Sequence, residues 1–455
     1  MRRIALMVAA VLAVLAGCDP SGPAAEPSAT TRARPASAPI PVGPQDWPTY
    51  HHDNARTGVA VNVPPPGTLA QAWSAKLDGA VYAQPLVIGD RIIAVTENDT
   101  VYALSAADGH VLWSQHLGTP QALSELPCGN IDPLGITSTP AYDPATGQVF
   151  ALAEVSGGTH LLAGLDLSTG IVTLNRPLEP PKGTPAAHQQ RAALTVLDGW
   201  VYVAYGGLYG DCGDYIGSVV AAPTTGLGEP RAFAVPTSRE GGIWSPGGAV
   251  VAGGKLFYAV GNGDATVTYD HSDSVLALTP GLTMADSFSP VEWADDNKHD
   301  RDLGSLGPTV VGGHVLSIGK RGTGFVLDAA RLGGIGGQIS QQKVCPAYGG
   351  TSVDGATVYV PCRNSNTRAV DIDAAGQATV RWQAPVRSAG SPVVGGGAVW
   401  TVDLADGVLY ALDQASGTVR AQVPVGPVPQ FTSPALAGDR AYVGTTSGVV
   451  AVAGV

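Results

Sequence analysis

Beyond its N-terminus the chain of 455 residues has no long Ala-, Leu-, Glu- or Lys-rich stretch of helical character, so an architecture built on helices is set aside. The N-terminal apolar run, residues 4–16, holds thirteen residues, fewer than the about 20 that span a bilayer. Basic residues are in the minority. The 25 Lys and Arg against 37 Asp and Glu leave a net charge of −12, which argues against nucleic acid or an anionic membrane surface as the main partner. No Cys-x-x-Cys-His marks covalent haem, and no Cys-x-x-Cys or His-Glu-x-x-His marks zinc. Nor is there a Gly-x-Ser-x-Gly elbow or a paired-carboxylate signature for a hydrolase.

What the chain does have is turns, with 60 Gly and 36 Pro, and enough apolar residues (44%) for a large core. Val101-Tyr-Ala-Leu-Ser-Ala-Ala-Asp-Gly-His-Val-Leu-Trp113 alternates apolar and polar residues, turns on Asp108-Gly109 and alternates again. That is a hairpin around a pair that tolerates positive φ. With its degraded copies the phrase occurs eight times. Equivalent positions at Leu104, Leu165, Ala221, Leu278, Leu327, Ile372, Leu412 and Val452 are separated by 61, 56, 57, 49, 45, 40 and 40 residues. A β-rich unit of about 40 residues is the spacing of a four-stranded propeller blade, the longer intervals being loop insertions.

Units tend to open with a small or polar residue and proline, as in Gln84-Pro85, Ser391-Pro392 and Ser433-Pro434; proline at a strand's first residue loses no ladder hydrogen bond. Several units end in a tryptophan strand, such as Leu112-Trp-Ser-Gln-His-Leu117 and Arg381-Trp-Gln-Ala-Pro-Val386, but the last stops at Val455 without one. Ala72-Trp-Ser-Ala-Lys-Leu77, ahead of the first unit, has the missing pattern. The expected fold is therefore an all-β, eight-bladed propeller of four-stranded antiparallel blades over residues 46–455, closed by an N-terminal strand that leaves no open edge.

The leader adds an address. Met1-Arg-Arg3, the apolar run and Leu15-Ala-Gly-Cys18 resemble a signal peptide with the lipobox of bacterial lipoproteins (residues 1–18). That resemblance implies acylation of Cys18 and a membrane anchor. The mature chain would then sit on the outer face of the cell membrane or on the periplasmic side, and would act as a monomer. Residues 19–45, rich in Pro, Ala, Ser and Thr, read as a disordered tether. In an exported chain the other four cysteines suggest disulfides, with three possible pairings. Cys345 with Cys362 is favoured because it would join neighbouring strands of one region, which leaves Cys128 with Cys212.

These repeats resemble the pyrroloquinoline quinone (PQQ) repeats of the quinoprotein alcohol dehydrogenase-like superfamily, and Asp46-Trp-Pro-Thr-Tyr-His-His-Asp-Asn-Ala-Arg-Thr-Gly58 is similar to a leader found before such arrays. The resemblance implies an eight-bladed propeller and leaves two functions open. One is a binding or scaffolding module that presents blade loops to a protein, glycan or small ligand. The other is a PQQ- and calcium-dependent dehydrogenase of an alcohol or sugar. Four segments are similar to parts of the enzymes' cofactor site. Gly241-Gly-Ile-Trp244 would lay its indole on PQQ. Val260-Gly-Asn-Gly-Asp264 would bring the amide oxygen of Asn262 to Ca²⁺. Asp300-Arg-Asp302 would supply the aspartate base, Asp302 or Asp300. Gly319-Lys-Arg-Gly-Thr-Gly324 would place Lys320 on the quinone oxygens. Where the enzymes bring a glutamate to Ca²⁺, the matching stretch here, residues 206–214, offers Asp211 or Asp214, and no adjacent cysteine pair is present. All four segments fall in the fourth and fifth repeats, facing a common channel.

Overall fold

A computed structural model describes residues 39–455; Cys18, the apolar run and most of the 19–45 tether lie outside the described residues. The repeat phrases fold into eight antiparallel sheets arranged as blades. Blade 1 consists of strands Leu86–Ile88, Arg91–Val95, Thr100–Ser105 and Val111–His116, paired in that order from the inside outward. Blades 2 to 7 follow over residues 141–177, 188–234, 250–289, 309–343, 352–383 and 393–424. Blade 8 takes three strands from residues 435–453 and its fourth from Ala70–Lys76, which runs antiparallel to Gly448–Ala453 with Trp73 opposite Ala451. The ring therefore closes as expected.

Burial explains the strand grammar. Arg91–Val95 and Thr100–Ser105 are buried almost throughout, whereas Val111–His116 alternates half-buried and exposed residues. A middle strand has a neighbouring blade on each face and reads as a continuous apolar run; the outer strand has a covered face and a wet one. Seven apolar clusters span adjacent blades, six of them pairwise: Val101 with Leu165, Leu152 with Val220, Tyr202 with Leu276, Phe257 with Phe325, Val326 with Val370, and Tyr359 with Val399. The last seam joins Trp400, Val443 and Ile92, across blades 7, 8 and 1. At about 1.5–3 kcal/mol per buried aliphatic or aromatic side chain, the seams between blades hold the wheel together.

The tryptophans of the outer strands have a specific seat. Trp73 lies over Gly109 in the turn of the next blade, so close that a Cβ there would be 2.5 Å from Cε3, and its indole N–H donates to the Ala106 carbonyl, 3.2 Å. Trp113 on Gly170 and Trp382 on Gly417 repeat the arrangement, donating to Leu167 and Gln414. The Asp-Gly or Ser/Thr-Gly turn is thus both a hairpin bend at positive φ and a platform for the neighbour's indole.

The insertions appear as local departures. The inner strand of blade 3 is broken into His188–Gln189 and Thr195–Leu197, and blade 4 gains a parallel fifth strand, Gly334–Ile335, beside Met284–Ser289. A short helix, Trp293–His299, stands between blades 4 and 5. Both expected disulfides are formed, Cys128–Cys212 and Cys345–Cys362, with Cα separations of 6.2 and 5.7 Å. Ile40 is already docked, its backbone hydrogen-bonded to the Tyr142 hydroxyl.

Residues 46–60 cross one end of the central shaft. Trp47 pairs with Val87, Pro48 accepts from Tyr142, Asn54 bonds Val196 and Val251, Thr57 accepts from Val353, Gly58 and Ala60 bond Val394, and the Trp47 indole donates to Leu436. Those partners belong to the inner strands of every blade except the fifth. Arg56, buried, donates to Ala249, Thr49 and Thr195. The stretch of backbone is satisfied by the wheel it plugs, which a buried loop requires.

Candidate functional site

The residues just before the inner strands and just after the second strands meet at the end of the shaft away from this plug. There they enclose a cavity of about 540 Å³, a size that suits a cofactor or drug-sized ligand. Trp244, on the segment entering blade 4, is seated by a glycine: a Cβ on Gly206 would lie 2.6 Å from its Cβ. Its ring is 6.2 Å from Tyr348 and 6.4 Å from Phe431, and the last two rings are nearly parallel, 13° apart. Three aromatic faces therefore border one space.

Lys320 follows strand His314–Ile318 of blade 5 by two residues, and its backbone N–H donates to the Asp302 carbonyl, 2.9 Å. Its Nζ lies 2.8 Å from Asp302 Oδ2, contacts Asp300, and is 5.7 Å from the centre of the Trp244 ring. Burial raises the Asp302 carboxyl to about 6 even against the pull of Lys320. For Lys320 burial works the other way, but Asp302 and Asp300 outweigh it and raise the ammonium above its usual range, so it stays charged. Asp300 is on the cavity wall; Asp302 is fully buried and does not line it. Asp300 ends the helix Trp293–His299 in a left-handed conformation, φ 52°, which aspartate tolerates.

Asn262, two residues beyond strand Lys255–Val260 of blade 4, also lines the cavity. Its carbonyl accepts from Gly241 N, 2.8 Å, tying this turn to the Trp244 segment, and its side-chain amide donates to Glu240 Oε2, 3.2 Å. Burial raises the Glu240 carboxyl; Arg239, whose Nη1 is 2.7 Å away, lowers it, and Asp211, Asp264 and Asp300 push it up again. Asp211 lines the cavity and accepts from the Tyr215 hydroxyl, 2.6 Å; Asp214 does not line it. Among the described residues no three His, Cys, Asp or Glu side chains converge as a metal site.

Trp244, Asn262, Asp300 and Lys320, named from four separate segments, thus share one wall, with Asp302 behind them. Sequence reasoning missed Glu240, though it immediately precedes Gly241. It also missed two cations. Arg363 donates to the Tyr348 hydroxyl, 2.6 Å, and lies over that ring. It follows strand Thr357–Pro361 by two residues, as Lys320 follows its own strand, so counting along the repeat would have found it. Arg191 is 4.6 Å from the Phe431 ring and donates to the Gln430 carbonyl, 3.0 Å, and it makes no ion pair among the described residues. No local motif marks Arg191.

A family model described as outer membrane protein assembly factor BamB matches residues 66–274 and 292–454. The polyvinylalcohol dehydrogenase of Sphingopyxis sp. (strain 113P3) is 25% identical over 314 residues, covering 60% of this chain and 45% of that protein; the chain thus spans under half the length of this relative. Among solved structures, a quinohemoprotein alcohol dehydrogenase from Pseudomonas putida HK5 superposes with a TM-score of 0.72 at 15% identity, covering 92% of this chain and 83% of the other. BamB from Moraxella catarrhalis gives 0.57 at 15% identity, covering 85% and 99%. At these identities the structural likenesses speak for fold alone.

Proposed function

Since the chain belongs to the BamB family of PQQ-repeat propellers, and that family's fold serves both scaffolds and enzymes, we propose that this member is a quinoprotein dehydrogenase that holds PQQ and Ca²⁺ in its cavity and oxidises an alcohol or sugar. The observation that carries the reading is the meeting of Trp244, Asn262, Asp300 and Lys320 around one space. The residues present fit the group. A flat, multiply anionic quinone suits a cavity with three aromatic faces and three cations, of which Arg191 and Arg363 make no ion pair among the described residues. Oxygen donors for Ca²⁺ would come from Asn262 and Glu240, whose crowded carboxyl neighbours a divalent cation relieves.

When bound, PQQ supplies the two-electron acceptor and Ca²⁺ polarises its carbonyl. The protein's own groups do the rest. Trp244 and the stacked Tyr348 and Phe431 fix the plane of a flat ligand, and Asp302 holds the Lys320 ammonium in place beside it. Asp300, exposed on the wall, is the group within the cavity that would take the hydroxyl proton of an alcohol. The stretch 46–60 is tied by backbone hydrogen bonds to the inner strands around the shaft. Acylation of Cys18 would tether this cavity outside the cytoplasm, where a separate partner takes the electrons.

The test is reconstitution of the purified protein with micromolar PQQ and Ca²⁺, followed by tryptophan quenching and dye-linked oxidation of primary alcohols, sugars and a polymeric secondary alcohol. Binding that is lost in Lys320→Ala and Trp244→Ala supports the enzyme. No quinone binding at micromolar concentration removes it and leaves the binding or scaffolding module, the reading that the BamB likeness favours.

A further inference from the structure

Behind the Lys320–Asp302 pair lies a third aspartate with no part in the chemistry above. Asp273, one residue before strand Ser274–Leu278, is fully buried. Its Oδ1 accepts from the backbone N–H of Leu303, 2.7 Å, the residue after Asp302, and its own N–H donates to the Gly261 carbonyl, 2.8 Å. Its Oδ2 is buried with no hydrogen-bond donor among the described residues, and the carboxyl of Asp296, on the helix Trp293–His299, stands beside it. Asp296 and Asp302 are themselves 2% and 0% exposed.

The charges around this trio can be counted. Lys320 binds Asp302, and Arg321 binds Asp296, with Nε 2.6 Å from Oδ1. The nearby Tyr269 hydroxyl is bonded to Ser274 Oγ, 2.8 Å. Three buried carboxyls thus share two cations, and Asp273 is the one neither reaches. Two neighbouring carboxyl groups away from water, one of them with an oxygen that meets no donor, are not both ionised. Arg321 keeps the charge on Asp296, so the proton falls to Asp273.

We propose that Asp273 is held as the neutral acid, donating to Asp296 and accepting from Leu303, and that this latch pins the 293–303 segment which aims Asp302 at Lys320. Asp273 is then a positioning residue for Lys320, and its role in catalysis rests on the reading of Lys320 as the quinone-facing cation. The direction of its acidity agrees: burial first, then Asp296 and Asp302, push its carboxyl well above the ordinary range.

Asp273→Asn and Asp273→Ala test this in the full chain. Asparagine is neutral and keeps one donor and one acceptor in the same places, so it should keep PQQ affinity within about threefold, while alanine, lacking both, should weaken it at least tenfold. Stability of the ligand-free protein against pH is the second readout. A folded carboxyl that keeps its proton above about pH 4, where the unfolded one releases it, loses stability as pH rises, by up to tenfold in the folding equilibrium per pH unit. The stability of the unmodified protein relative to Asp273→Asn should therefore fall from pH 4.5 to 8. A gap that instead grows with pH would mean an ionised, stabilising Asp273 and overturns the latch; so does asparagine proving as damaging as alanine at pH 7. If even the unmodified protein binds no quinone, the dehydrogenase reading fails, while the pH dependence still decides the latch.

Discussion

Replacing Lys320 by methionine separates two accounts of a buried ion pair. Removing one partner of such a pair commonly costs about 3–5 kcal/mol, because the other charge is left buried and alone. Here Asp302 has a cheaper escape, which is to fold protonated. Its carboxyl stands at about 6 in the folded protein against about 3.9 unfolded. A folded value above the unfolded one means that its stability term is whole below about pH 4 and is lost as pH rises toward 6. At pH 7 that loss is about 3 kcal/mol with Lys320 present, and folding fully protonated without it costs about 4 kcal/mol. Lys320→Met should therefore lose only about 1 kcal/mol through Asp302 at pH 7, up to about 3 at pH 8, and almost nothing at pH 5. At about 2 cal/mol/K of unfolding entropy per residue, a chain of this length moves its Tm by only about 1 °C per kcal/mol, so urea titrations at the three pH values are the better assay. In an Asp302→Asn background the cost of Lys320→Met should be the same at all three pH values. A penalty that is the same at pH 5 and pH 8 would refute the reasoning, since it would mean that Asp302 does not take up a proton when Lys320 is gone.

Two further changes probe the blade seams and the cavity. Gly109→Ala puts a Cβ 2.5 Å from Trp73 at φ 76° and should cost about 2–4 kcal/mol, the sum of left-handed strain and overpacking. Gly89→Ala, at φ 58° with nothing within 4 Å, should cost only about 1 kcal/mol; equal urea midpoints would show that the tryptophan seat is not what holds the blades. Arg191→Leu should leave the ligand-free stability unchanged or higher, because the guanidinium has no carboxylate partner, yet weaken PQQ about 10–100-fold by loss of a charge-assisted hydrogen bond. Unaltered quinone affinity in a fluorescence titration would remove Arg191 from the site.

The wheel was legible because its information is local and repeated. Alternation around Asp108-Gly109 specifies a hairpin within thirteen residues, and eight copies of one phrase specify the same packing partner eight times. Even the closing strand could be read from the absence of a tryptophan strand after Val452 and its presence at Trp73. The site was legible only where it rides on those copies. Asn262 and Lys320 each stand two residues beyond the second strand of their blade. Arg191 and Phe431, by contrast, are 240 positions apart and meet only because the ring brings blades 3 and 8 to one axis. No pattern shorter than the wheel could place them together.

The same repeat explains where many of the cavity's side chains come from. The position two residues past the second strand is Tyr209 in blade 3, Asn262 in blade 4, Lys320 in blade 5, Arg363 in blade 6 and Ala405 in blade 7, all on the cavity wall. In blade 1 the corresponding residue is Glu97, buried and off the wall, its carboxyl raised by burial to about 7. A fold that offers eight equivalent positions places a side chain at each without choosing its chemistry. The choice is made by what lies behind each one: Asp302 and the Asp273 latch behind Lys320, Glu240 behind Asn262, Tyr348 beside Arg363. Losing those supports would leave the wheel standing and the cavity unspecific. A propeller of this kind can pass between scaffold and enzyme through a handful of loop residues while its seams stay the same.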